Sequence, residues 1–249
     1  MIKKAYKNES RIKMICAKDA LMLGMETRFY CLDTDCNAHM YVCNVEGLSS
    51  AYFRAKYKKY PHIEGCNSNE INSFNLSKAD EQKFYFENAL NAMFIPDLKS
   101  NQKNNNSHTD RTDNSTDNPL RTVSQIYLMC KSFSCEDSYN NIKIGHMLFD
   151  NRSNFMYPRG VFGLRLIEAS TKAHFYDKNT QKIMAVAPRD SKKYEFHLKF
   201  LDVSLFNEIK NKIFKNKNKK LIVAGKWVSS GIYNVFASNI YSEKQIALK

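Results

Sequence analysis

Between positions 31 and 66 the chain carries a set of soft donors that limits what it can fold into. Cys31-Leu-Asp-Thr-Asp-Cys36 opens the stretch and His62-Ile-Glu-Gly-Cys66 closes it. Two thiols spaced C-x4-C, a hairpin-length insert and then H-x3-C form a pattern that gathers four ligands around one tetrahedral ion. The insert suits that purpose. Residues 38–46 alternate like a strand, Gly47-Leu-Ser-Ser50 has turn chemistry, and residues 51–57 resume as a strand. Such a hairpin folds His62 and Cys66 back over the Cys31/Cys36 turn. The competing reading is that these are reduced thiols buried as small hydrophobes beside an incidental histidine. Four of the seven cysteines and two of the six histidines fall in this one stretch, which favours a structural zinc held by Cys31, Cys36, His62 and Cys66. Cys43 and His39 share one face of the intervening strand and are reserve ligands if the hairpin is registered differently. Three thiolates and an imidazole leave a divalent site near one negative charge, which Arg54, Lys56, Lys58 and Lys59 are placed to offset in part.

The order Phe29-Tyr30-Cys31-x4-Cys36-x-Ala38, then Ala51-Tyr-Phe-Arg-Ala55, then Pro61-His-Ile-x-Gly-Cys66 resembles the N-terminal zinc-finger-like module of the competence CoiA-like family. The resemblance covers about residues 29–66 and does not extend to the nuclease-type domain that follows in those proteins. It implies a bacterial protein that handles DNA. A composition rich in Lys, Asn and Ile and poor in Gly and Pro points the same way, to an AT-rich bacterial genome.

The net charge of +13 is unevenly distributed. Residues 1–97 hold 13 Lys/Arg against 12 Asp/Glu, residues 98–120 hold 3 against 3, and residues 121–249 hold 22 against 10. A polyanionic partner should therefore meet the last part. Residues 100–118 contain no aliphatic or aromatic side chain, and a segment that can bury nothing cannot offset its ordering entropy. The expected division is a zinc-binding module over 1–97, a flexible linker over 98–120 and a basic domain over 121–249. No apolar run reaches a membrane span, no apolar stretch follows the basic start of the chain, and the cysteine count is odd. These features suggest reduced thiols, a cytoplasmic protein and no membrane partner.

Element by element, a helix capped by Ser77 with Asp80 and Glu81 in its first turn carries Phe84, Leu90 and Phe94 to the Pro96 stop. Thr122 caps a second helix with Val123, Ile126, Tyr127 and Cys130 on its apolar face. From Val161 the pattern reads strand, strand, strand, helix, strand, strand, the first strand being either one long bent piece or two. Asp202 or Ser204 caps the helix, whose apolar face is Leu205, Ile209 and Ile213. That is the element order of an OB fold, a five-stranded, partly open barrel. The fold class expected is thus α+β and mostly β: a small zinc-binding hairpin domain with a helix, linked to an OB-like barrel preceded by a helix.

OB folds bind single strands by stacking bases on aromatic rings while cations follow the backbone. The cations in question are Arg165, Lys172, Lys182, Lys193, Lys199, Lys226 and Lys244, with Trp227 as the stacking platform or, equally, a core anchor. Tyr194 and Phe196 share a strand face opposite Lys193, Glu195, His197 and Lys199, which marks the two rings as core. The functional expectation is a non-catalytic accessory protein binding single-stranded DNA or RNA in DNA metabolism, transfer or defence, with residues 1–97 as a possible protein-binding surface. An adaptor that binds only proteins is the alternative. A metal-dependent nuclease is weaker, because Asp190, Glu195 and Lys199 fit the required acid-x-lysine spacing poorly and no phosphate-binding glycine loop occurs.

Overall fold

The computed structural model of the chain describes residues 2–43, 51–64, 66–73, 81–96, 120–187 and 194–249. The Gly47 turn, the Ser77 cap with Asp80, the linker 100–118 and the turn containing Asp190 lie outside the described residues, as does Lys193. The chain begins with β1 (Lys4–Tyr6), β2 (Met14–Cys16), α1 (Ala17–Ala20), β3 (Phe29–Tyr30), β4 (His39–Cys43) and β5 (Tyr52–Ala55). These five strands form one antiparallel sheet in the order β2-β1-β3-β4-β5, so the expected hairpin β4/β5 is the edge of something larger. Strands of two or three residues carry no readable period, which is why β1 and β3 escaped the sequence pattern. Phe29 lies edge-on to Phe53 at 5.1 Å in the core of this sheet, beside Ala5, Met40 and Val42.

Two helices follow, α2 (Ser68–Ser73) and α3 (Phe86–Met93). The second starts at Phe86 and leaves Glu81 outside its first turn, for a physical reason. Asn140 donates its backbone N–H to Glu81 (2.7 Å) and its side-chain amide to the Phe84 carbonyl (2.6 Å), which holds the approach segment out of the helix. Phe84 is still core, edge-on to Tyr139. Helix α4 (Val123–Lys131) carries the expected Thr122 cap, completed as a capping box by Gln125, and buries Val123, Ile126, Tyr127 and Cys130. The hairpin β6 (Ser138–Tyr139) and β7 (Ile142–Lys143) turns at Asn140 and Asn141, whose φ values of 44° and 63° suit asparagine. Helix α5 (Ile144–Met147) and β8 (Leu148–Phe149) lead into the barrel.

The barrel consists of β9 (Gly163–Asp177), β10 (Lys182–Val186), β11 (Glu195–Phe200), β12 (Leu221–Ser229) and β13 (Val235–Ile240), with α6 (Val203–Lys215) between β11 and β12. Strand β9 is one long piece. Its first half pairs with β12 and its second half with β10, and this closes the barrel. Strand β11 runs parallel to β13, and all other neighbours within the barrel are antiparallel. The short β14 (Ile246–Leu248) adds to the outer edge of β12. Asp202 caps α6 by accepting from Ser204 and Leu205, and the buried face is Phe206, Ile209 and Ile213, with Leu205 only half-buried.

The barrel interior is packed by Phe149, Ile167, Tyr194, Phe196, Leu198, Trp227 and Phe236. A second core joins α3 and α4 to the outside of β9 and β12: Phe86, Leu90 and Met93 pack with Ile126, Met129, Leu166 and Ile222. The expected boundary between residues 1–97 and 121–249 therefore does not coincide with a boundary in the packing. An amphipathic helix as short as α3 needs a partner surface to be stable, and the barrel's outer face is that surface.

Candidate metal centre and nucleic-acid face

The hairpin geometry brings Cys31, Cys36, His62 and Cys66 together, their ligand atoms all within 4.8 Å of one another. His62 Nδ1 lies 3.5 Å from Cys31 Sγ, 3.4 Å from Cys36 Sγ and 3.3 Å from Cys66 Sγ, and Cys31 and Cys66 Sγ are 3.5 Å apart. A tetrahedron with metal–sulfur bonds near 2.3 Å and a metal–nitrogen bond near 2.0 Å has edges of about 3.5–3.8 Å, so the donor set fits an ion. It does not fit a disulfide, since all seven cysteines are free. The electrostatics agree. Hydrogen bonding to Cys36 and Cys66 pushes the Cys31 thiol far above its ordinary value, whereas Cys36 is pulled down by accepting from Cys31, Cys66 and His62. Hydrogen bonds to the Cys36 and Cys66 sulfurs push His62 up to about 10. Three crowded sulfurs cannot all ionise without a cation between them, which a divalent ion would supply. The reserve ligands are elsewhere. His39 stacks on Tyr60 (3.7 Å between centroids, 7° between planes), and Cys43 lies at the far end of β4.

The side chain that fastens the metal loop was not singled out by spacing. Asp33, between the first two cysteines, accepts from the backbone N–H of Asp35 (3.1 Å) and of Asn67 (2.8 Å), so it ties the Cys31–Cys36 loop to the residue after Cys66. Lys220 then reaches Asp33 (2.9 Å), Asp35 (3.1 Å) and Glu168 on β9 (3.4 Å). Glu168 also accepts from Tyr127 (2.9 Å) and pairs with Lys131 (2.8 Å). Lys131 bridges to Asp150 (3.0 Å), and Asp150 holds Arg152 (2.8 Å). Arg152 finally donates to the Tyr6 hydroxyl on β1 (2.8 Å). Burial works to raise the carboxyls of Asp150 and Glu168, but Arg152 and Lys131 beside the first, and Lys131 and Lys220 beside the second, hold both below the ordinary range. The charge near the metal loop is thus offset by Lys220, and by Arg11, which donates to the carbonyls of Thr34 and Cys36 (3.0 Å to the latter). Of the cations expected there, Lys56 pairs with Glu26 instead.

The expected nucleic-acid residues separate into groups. Lys199 and Lys226 line one cleft of about 520 Å³ on the outside of β11, β13 and β12, with Asn91, Phe94, Asn239 and Tyr241. Phe94 and Tyr241 form an aromatic pair at 6.4 Å on its wall. Lys182 sits opposite Lys199 across the β10/β11 pairing, and Lys199 opposite Asn239, so the three strands present one polar row. Lys172 is exposed but engaged by Glu195, which also bonds His197. Lys244 lies exposed in the short turn after β13. Arg165 is half-buried, pairs in register with Gly225 and is away from this row.

Trp227 is a correction. It is 1% exposed, donates to the Arg165 carbonyl (3.3 Å) and meets Phe196 edge-on at 5.1 Å, so it anchors the barrel and is no platform for bases. Replacing Trp227 by alanine should cost about 3–5 kcal/mol of stability, read as a drop in the denaturant midpoint, rather than a selective loss of binding. Tyr194 and Phe196 are buried, as their strand face required, while Tyr233 in the β12/β13 turn is 86% exposed. Among the described residues no helix is long and apolar enough to cross a membrane. Compared with known proteins, the chain matches no family model, no curated protein and no solved structure.

Proposed function

We propose that the chain is a non-catalytic accessory protein that binds single-stranded nucleic acid across the outside of an OB-type barrel, braced by a structural zinc. The carrying observation is that Lys199 and Lys226, distant in sequence, meet in one cleft with Phe94 and Tyr241, beside Lys182. Cations spaced along a groove and rings at its wall are what a flexible polyanion with flat bases needs. The barrel topology supports the reading. Its strands close in the order first, second, third, fifth, fourth, first, the third and fifth run parallel, and the helix lies between the third and fourth. The 22 Lys/Arg against 10 Asp/Glu over residues 121–249 supply the long-range attraction. Three thiolates with one histidine are a donor set that selects zinc over harder ions, and the resemblance to the competence CoiA-like module is in keeping with a role beside DNA.

The test is fluorescence anisotropy with a labelled single strand, a duplex of the same sequence and heparin, at two salt concentrations. Tighter binding of the single strand at both concentrations is expected. Equal binding of all three reduces the function to charge attraction, and no binding at low salt refutes it.

A further inference from the structure

A second cleft, of about 400 Å³, opens among the strands around Cys31–Cys36 and shares no lining residue with the Lys199/Lys226 cleft. It is lined by Arg11, Arg28, Tyr30, Thr34, His39 and Tyr60, among others. Two of its walls are flat. His39 and Tyr60 are stacked face to face, and a backbone hydrogen bond from His39 to the Tyr60 carbonyl (3.3 Å) fixes the pair. Arg28 lies over the Tyr30 ring at 4.5 Å. The third feature is a set of donors without acceptors. Arg11 is 9% exposed and Thr34 3%, yet the Arg11 Nε, the Arg28 Nε and the Thr34 hydroxyl are buried with no hydrogen-bond partner among the described residues. Leaving a buried donor unpaired costs about 1–3 kcal/mol, so three around one cleft call for an acceptor-rich occupant.

We infer that this cleft is a nucleotide site, in which the Arg28 guanidinium, the Arg11 Nε–H and the Thr34 hydroxyl receive a phosphate and the His39/Tyr60 and Arg28/Tyr30 faces flank a base, the other Arg11 nitrogens being held by the Thr34 and Cys36 carbonyls and Asn37. Guanidinium forks suit phosphate oxygens, and planar rings accept any base. Two carboxylates, Asp35 and Glu9, also line the cleft, but Asp35 is engaged by Lys220 and Glu9 is exposed to solvent. The burial of His39 and the nearby Arg28 charge keep its imidazole below the usual value, which favours the neutral ring suited to stacking. A free mononucleotide and the terminal nucleotide of a strand present the same chemistry. If the occupant is the end of a strand, the inference rests on the nucleic-acid reading above; if it is a mononucleotide, it stands alone.

The experiment is calorimetric titration of the full metal-loaded chain with adenosine 5′-monophosphate, inorganic phosphate, and a short oligothymidylate with and without a 5′-phosphate. Arg28→Gln and Tyr60→Leu are the variants, because Arg11 also holds the metal loop and its loss confounds folding with binding. Binding of the mononucleotide, or of the 5′-phosphorylated strand over its unphosphorylated form, with at least tenfold weakening in both variants, is expected. The Lys199→Ala/Lys226→Ala protein should lose affinity for the strand with or without its 5′-phosphate but keep the mononucleotide affinity and the preference for a 5′-phosphate, which separates this cleft from the barrel face. Inorganic phosphate binding as tightly as the nucleotide would overturn the inference, as would nucleotide binding indifferent to both variants or absent at millimolar concentration.

Discussion

Exchanging Cys36 for serine should strip the metal from the protein and lower the melting temperature of the whole chain. A structural zinc in a small peptide contributes roughly 10–16 kcal/mol, which is comparable with the entire stability of a domain, about 5–15 kcal/mol. The four donors join the Cys31–Cys36 loop to the His62–Cys66 segment, which Asp33 also ties together through the Asn67 N–H, so losing one ligand loosens both. The loss should not stop at the first sheet. Tyr6, Leu32 and Ile71 pack together beside Leu128 of α4, and Lys220 bonds the metal loop directly. Elemental analysis should find about one zinc per chain in the native protein and almost none in the variant. Calorimetry should show the unfolding transition moving down as a unit. An unchanged melting curve with no metal in either protein would return the cysteines to ordinary core thiols.

Replacing Asp150 by asparagine should be nearly as damaging, by about 3–5 kcal/mol, although Asp150 is far from any proposed ligand. Lys131 and Asp150 have fully buried side chains and Arg152 is almost as enclosed, so removing the shared carboxylate leaves two cations facing each other without water. The same network sets a pH dependence. The carboxyls of Asp150 and Glu168 are held below their ordinary range in the folded chain. The unfolded chain therefore takes up protons first as pH falls. Their contribution is full above the ordinary carboxylate values of about 4 and is lost as pH falls through the lower folded values. Denaturant midpoints should thus decline below about pH 4 in the native chain and decline less steeply in Asp150→Asn. A midpoint unaffected by the substitution at neutral pH would mean that the network contributes no net stability.

What could be read in advance followed the length and periodicity of each element. The Thr122 cap and the strand-strand-strand-helix-strand-strand order were legible from cap chemistry and period, whereas Asp202 or Ser204 as the second cap, and one strand or two at β9, stayed open until the structure gave Asp202 and one strand. The gathering of Cys31, Cys36, His62 and Cys66 was legible because soft donors at short spacing have few other uses. The ionic chain from Asp33 to Tyr6 was not, since its members come from six separate stretches and its charges look like ordinary surface charges until the fold buries them. Trp227 stayed undecided between stacking platform and core anchor for a related reason. Its neighbours Lys226 and Ser229 look like a surface turn, but alternation along β12 turns Trp227 inward over Gly225, where an added Cβ would lie 2.8 Å from the indole. The pairing of Lys199 with Lys226 depends on β11 running parallel to β13 and on β13 closing against β12, which only the topology reveals.

The central claim, that the outer barrel face carries the nucleic acid, is tested most directly by the salt dependence of single-strand affinity. Each phosphate neutralised contributes about 0.7 to the slope of log K against log salt on a single strand. The Lys199→Ala/Lys226→Ala chain should keep its melting temperature, because both side chains are exposed. Its slope should be shallower by about 1.4 and its affinity lower at every salt concentration. A slope and an affinity identical to those of the native chain would place the nucleic acid elsewhere and contradict the account.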